Sequence, residues 1–123
     1  MVSASDLIGG GLPVGDKLRF GSQVTVGTNV TVLNVASGGG VLHGVFIGNL
    51  GSDIRISEIK VTVDGAAERT FNLLNSGYVI QASTSNAQSM YAPLPISFKT
   101  SLVLKMTNAG SNSAFVQAMY TIK

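Results

Sequence analysis

The sequence contains no cysteine, which removes thiolate catalysis, disulfide stapling and cysteine-based zinc sites at one stroke. It contains one histidine, His43, so the clustered histidines of cupin-type metal centres are missing too. Charge is scarce: 11% of residues are Asp, Glu, Lys or Arg, against roughly 25% in an average soluble domain. Such a surface is poorly defended against association. The basic residues are scattered from Lys17 to Lys123 and the net charge is only +2, which argues against nucleic acid as a partner. Mean hydropathy is positive, yet no window of ~18 apolar residues is free of glycine, asparagine or charge, so a transmembrane helix and a membrane partner are not expected. The opening Met-Val-Ser-Ala-Ser-Asp has neither a basic n-region nor an apolar h-region, and synthesis in a cytoplasm is the expectation. There is no G-x-S-x-G elbow, no phosphate loop and no dinucleotide fingerprint.

What is present reads as β-structure. The 123 residues, 45% of them hydrophobic, suffice for one domain with its own core. From Gln23 onward β-branched residues dominate and turn signals recur at about the 8 to 12 residue spacing of a sandwich or barrel. Val24 to Val35 reads as one bent strand or two. Val41 to Ile47 is apolar on both faces and reads as a central, doubly covered strand. Ile54 to Val63 changes parity near Ser57 or Glu58, which predicts a bulge. Asp64-Gly65 predicts a tight hairpin, and Pro93 and Pro95 place the segment from Met90 to Phe98 at a sheet edge. Ser101 to Thr107 and Ala114 to Ile122 alternate cleanly. The expected fold is all-β: a single antiparallel sandwich of about eight strands, jelly-roll-like, over residues 22 to 123. Residues 1 to 21, punctuated by Gly9-Gly10-Gly11 and Pro13, read as an extended N-terminal arm.

Candidate chemistry is thin. His43, after Gly38-Gly39-Gly40 and between Leu42 and Gly44, reads as a strand residue whose ring needs one hydrogen-bond partner, in the core or across a subunit contact. The acids Asp6, Asp16, Asp53, Glu58, Asp64 and Glu68 take turn, strand-surface or arm positions, and nothing in their spacing favours a glycosidase pair or a calcium site. No catalytic residue, cofactor or metal ligand is assigned, and an enzyme is not expected. Gln81 to Ser89 is polar and uncharged and reads as the longest exposed loop, with Gln81, Asn86, Gln88 and Tyr91 as candidate recognition residues. Tyr91 is the natural centre of a sugar-binding alternative.

The segments S-G-G-G-V-L-H-G-V-F-I at 37 to 47, I-K-V-T-V-D-G at 59 to 65, P-L-P-I-S-F-K-T-S-L-V-L-K-M at 93 to 106 and the terminal Y-T-I-K together resemble small jelly-roll β-sandwich virion proteins of tailed bacteriophages. The resemblance covers about residues 37 to 123, rests on structural motifs and carries over no functional residue. It implies a non-enzymatic virion structural protein: a capsid decoration, cement or head-fibre protein, with a tail-associated position as a further option. It also implies a homo-oligomer, a trimer favoured, in contact with a major capsid protein or other virion proteins. In that reading the arm anchors the subunit through Leu7, Ile8, Leu12, Val14, Leu18 and Phe20. The alternative is a glycan- or receptor-binding module of a phage tail or fibre.

Overall fold

A computed structural model describes residues 16–49, 54–72, 80–82, 88–111 and 113–123. Ten strand segments are present among them: β1 (Lys17–Phe20), β2 (Val24–Val26), β3 (Val30–Val35), β4 (Gly40–Asn49), β5 (Ile54–Val63), β6 (Arg69–Asn72), β7 (Ile80–Ala82), β8 (Gln88–Phe98), β9 (Leu102–Asn108) and β10 (Ala114–Ile122). Every pairing is antiparallel. The first sheet runs β1–β10–β4–β8, with β2 also on β10; the second runs β3–β9–β5–β6, with β7 also on β5.

The ten segments occupy eight ladder positions. β1 pairs with Met119 to Ile122 and β2 with Ala114 to Val116 of the same strand, so the two are halves of one edge. Gly21 holds the break between them: its N–H donates to the Ala118 carbonyl at 2.8 Å, and its own carbonyl accepts from Gln117 Nε2 at 2.8 Å. β6 and β7 likewise share the edge of β5. Numbered along the chain, the eight positions are ordered 1-8-3-6 in one sheet and 2-7-4-5 in the other, which is the double Greek key of a jelly roll. Only the β5 to β6 connection stays within one sheet. It is the Asp64-Gly65 turn, with φ of 55° and 70° and a Val63 carbonyl accepting from the Ala66 N–H, the mirror-image turn that suits strand twist.

The core forms because alternate residues of both sheets face each other. Ala114, Val116 and Ala118 of β10 and Leu42, Val45 and Ile47 of β4 meet Leu102, Leu104 and Met106 of β9 and Ile54, Ile56, Ile59 and Val61 of β5 in one apolar cluster. Full burial of each large side chain stabilises the fold by about 1.5–3 kcal/mol. The β5 bulge falls where parity predicts it, at Ser57, between Ile56 and Glu58. β8 with its prolines lies at a sheet edge, as expected.

Three expectations change. β4 is central, between β10 and β8, but it is covered on one side only: Phe46 remains 37% exposed. Residues 17–20 of the span read as an arm form β1 and lie in register on β10, whose open edge offers them a ladder. The alternation of Val30 and Val32 against Thr31 and Leu33 that the sequence predicts for this strand is broken: Val32 and Leu33 are both buried, since the register on β9 shifts between Thr31 and Leu33.

Candidate docking face

The outer surface of the first sheet is where the strand residues left out of the core collect. Directly paired residues of antiparallel strands point to the same side. Phe20 pairs with Met119, Gln117 with Phe46 and Phe46 with Tyr91, so these side chains stand together outside. Phe20 and Phe46 lie 6.1 Å apart between ring centroids, and Phe46 and Tyr91 4.9 Å, within the range of favourable tilted aromatic contacts. The row crosses the sheet from edge to edge. Leu18 at 45%, Phe20 at 53% and Tyr91 at 40% are exposed along with Phe46.

Among the described residues charge is absent from this face. β2, β4, β8 and β10 contain no Asp, Glu, Lys or Arg, and Lys17 and Arg19 pair with Ile122 and Tyr120, on the opposite side of β1 from Leu18 and Phe20. The second sheet is built the other way. Lys60 and Lys105 are direct ladder partners, and each is drawn to a carboxylate, Lys60 to Glu58 at 3.6 Å and Lys105 to Glu68 at 3.7 Å. Such exposed pairs contribute little stability, but they keep that surface ionic and wet. The sandwich therefore has one neutral aromatic outside and one charged outside.

Two local devices hold the aromatic row in place. Gly44 leaves room for Tyr91, since a Cβ there would stand 2.5 Å from both the Tyr91 Oη and the Ala92 carbonyl oxygen. His43 is an extra residue between the pairs Leu42–Tyr120 and Gly44–Met119, so β4 carries a bulge at its centre and both Leu42 and Val45 reach the core. The His43 Nε2 is hydrogen-bonded to the Thr121 hydroxyl, and Thr121 is only 2% exposed. The partner that the ring needs is thus within the chain. Among the described residues no three metal-ligating side chains converge.

The glycine run before His43 marks a crowded crossing rather than a loose loop. A Cβ on Gly40 would overlap the Thr121 carbonyl oxygen, so only glycine lets β4 start against the end of β10. Close by, Asp64 ties the β5–β6 turn to the loop before β9. Its Oδ1 accepts from the N–H groups of Lys99 at 2.7 Å, Thr100 at 2.7 Å and Ser101 at 3.2 Å, and from the Thr100 hydroxyl at 3.3 Å. The Thr100 N–H above all, with the other donors, holds the Asp64 carboxyl below the usual carboxylate range against an opposing desolvation effect.

Of the residues singled out from sequence, Leu18, Phe20 and Tyr91 come together on or beside the aromatic row. Gln81 and Gln88 lie on the ladders of β7 and β8, so the span read as one long loop begins and ends in strand. Asn86 and the anchors Leu7, Ile8, Leu12 and Val14 lie outside the described residues. Sequence reading missed Phe46 as a surface residue, although the two-sided apolarity of its strand was the available signal.

No protein-family model and no curated protein matches the chain. Among solved structures it is similar to a chain of the T13 particle of infectious bursal disease virus, at 13% identity and a TM-score of 0.45 over 87% of this chain and 31% of that one. It is also similar to a chain of the Gx strain of the same virus, at 12% identity and a TM-score of 0.40 over 88% and 32%. The protein thus spans about a third of the length of the chains it matches, and likeness at this level says nothing of what it does.

Proposed function

We propose that the protein is a structural, non-enzymatic subunit of a virus particle, of the capsid-decoration or accessory type, that works by protein contact and associates with copies of itself. The observation that carries this reading is the outer face of the first sheet, where Phe20, Phe46 and Tyr91 form a continuous row without a charged neighbour on β10, β4 or β8. Contiguous exposed apolar patches mark association surfaces, and enriched aromatics with depleted charge are the mark of an interface centre. The jelly-roll order of strands and the resemblance to phage virion proteins point the same way. The face is laid against the particle, and its occupant there is a shell subunit.

Size bounds how strong that contact is. Four strands at ~4.8 Å spacing and nine residues at ~3.3 Å give a face of about 600 Å², short of the ~800 Å² per partner of a standard stable interface. Attachment by the face alone is therefore weak per copy, and firm binding requires linked copies acting together. Mass spectrometry of gradient-purified particles from the source of the sequence should find the chain at many copies per particle. Particles that contain none would overturn the reading.

The aromatic row also supports a second reading, glycan recognition centred on Tyr91, because exposed rings suit the apolar faces of sugars. A glycan array probed with the protein and with Tyr91→Ala separates the two. A structural subunit gives no sugar-dependent signal, whereas a lectin gives one that the substitution removes.

A further inference from the structure

At the edge of the sandwich opposite β1, β8 closes the first sheet and β6 closes the second, and among the described residues no strand bridges the gap between them. A cleft of about 500 Å³ lies there, with Val61, Val63, Ala66, Arg69, Phe71 and Ile96 among its walls; that volume falls within the ~300–1,000 Å³ of ligand-sized sites. Two of these residues are out of pattern. Arg69 pairs with Val61 and Phe71 with Ile59, and Val61 and Ile59 belong to the core, so Arg69 and Phe71 face the inside of the sandwich. Phe71 is nevertheless 50% exposed. Arg69 is itself exposed and places a cation at the rim of this apolar mouth. Among the described residues no carboxylate forms an ion pair with it: Glu58 and Glu68 are held by Lys60 and Lys105, and Asp64, on the rim, has its Oδ1 engaged by the 99–101 loop.

We infer that this cleft receives residues 6–14 of the N-terminal segment of a neighbouring copy, with Leu7 and Ile8 seated between the sheets and Asp6 paired with Arg69. The inference rests on the self-association in the reading above. Charge complementarity is the first argument for this occupant: an exposed arginine at the rim of aliphatic walls fits an acid followed by two aliphatic residues, and Asp6-Leu7-Ile8 is such a run. Reach is the second. Leu7 stands nine residues before Asp16, enough for ~30 Å of extended chain, so the segment can extend past the edge of its own sandwich to that of an adjacent subunit. Position is the third. The segment leaves one edge of the sandwich and the cleft opens at the other, so donor and acceptor lie on different sides of one molecule. That is a heterologous contact, which closes into rings such as trimers when the rotation permits.

The absence of cysteine makes the test clean, because the full chain carrying Leu7→Cys with Phe71→Cys holds only that pair of thiols. Mild oxidation should give covalent dimers and higher species on a non-reducing gel. A disulfide closed within one chain, or none, overturns the assignment. The second measurement is sedimentation equilibrium of the full chain. Asp6→Arg and Arg69→Asp should each weaken self-association by about tenfold, and the two together should restore it; failure of the pair to recover also overturns it. A protein that cross-links through the cleft but is missing from particles keeps this inference and loses the virion reading, and the opposite result does the reverse.

Discussion

At the scale of single residues, the docking face depends on what is missing at Gly44. Tyr91 occupies the space a Cβ would take, so Gly44→Ala must push the ring or the β8 backbone aside. Overpacking of this kind costs about 1–3 kcal/mol, and the urea midpoint of the variant should fall accordingly while Gly27→Ala, where a Cβ meets nothing within 4 Å, leaves it nearly unchanged. Asp64 gives a pH signature. Its carboxyl is held below the usual range in the folded chain, and an unfolded Asp titrates near ~3.9. The stabilisation it supplies is therefore complete above that value and disappears as pH falls through the lower folded value. Thermal unfolding of the protein against Asp64→Asn should show a melting-temperature gap that is constant at neutral pH and closes below about pH 4; a gap that persists into strong acid would contradict the assignment. Much of this scale was not legible in the sequence. His43 could be placed on a strand, but not at a bulge, because its extra position is defined only by what β10 and β8 do opposite it.

At the scale of elements, periodicity carried most of the fold. β9 alternates along its whole length and β10 from Ala114 to Met119, the Ser57 bulge shows as a change of parity, and Asp64-Gly65 announces its turn, so each could be read locally. β1 could not. Its four residues are too few for a period and are preceded by glycines, and it is a strand because β10 offers an open ladder to residues 17–20. The same reason hides β7, three residues long. A practical prediction follows from the boundary. Removing residues 2–15 should leave the melting temperature nearly unchanged and weaken association, whereas removing residues 2–20 strips β1 from β10 and should lower the melting temperature as well. Differential scanning calorimetry of the two truncations, with sedimentation of each, checks both parts; equal stability would mean that β1 contributes nothing to the sandwich.

At the scale of the whole molecule, the two contacts proposed here differ in kind and should separate in salt. Attachment through an uncharged face is not screened, while a pair such as Asp6 with Arg69 at a cleft mouth weakens as the Debye length shrinks from ~10 Å at 0.1 M to ~3 Å at 1 M. The intrinsic affinity of a single face for the particle should hold across that range, while self-association, and with it the firm binding of linked copies, should fall. Phe46→Asp places a carboxylate in the centre of the face and should reduce particle binding by about a hundredfold with the melting temperature preserved, since Phe46 is already partly exposed.

A body with one neutral and one ionic outside also has a direction. Once its aromatic side is laid down, each subunit turns Lys60, Lys105, Glu58 and Glu68 toward the solvent. A second subunit arriving with its own aromatic side finds hydrated ions where it would need bare carbon. In the proposed role, growth in thickness would therefore end after a single coat, and the number of copies would be set by the area beneath them rather than by how much protein the cell has made.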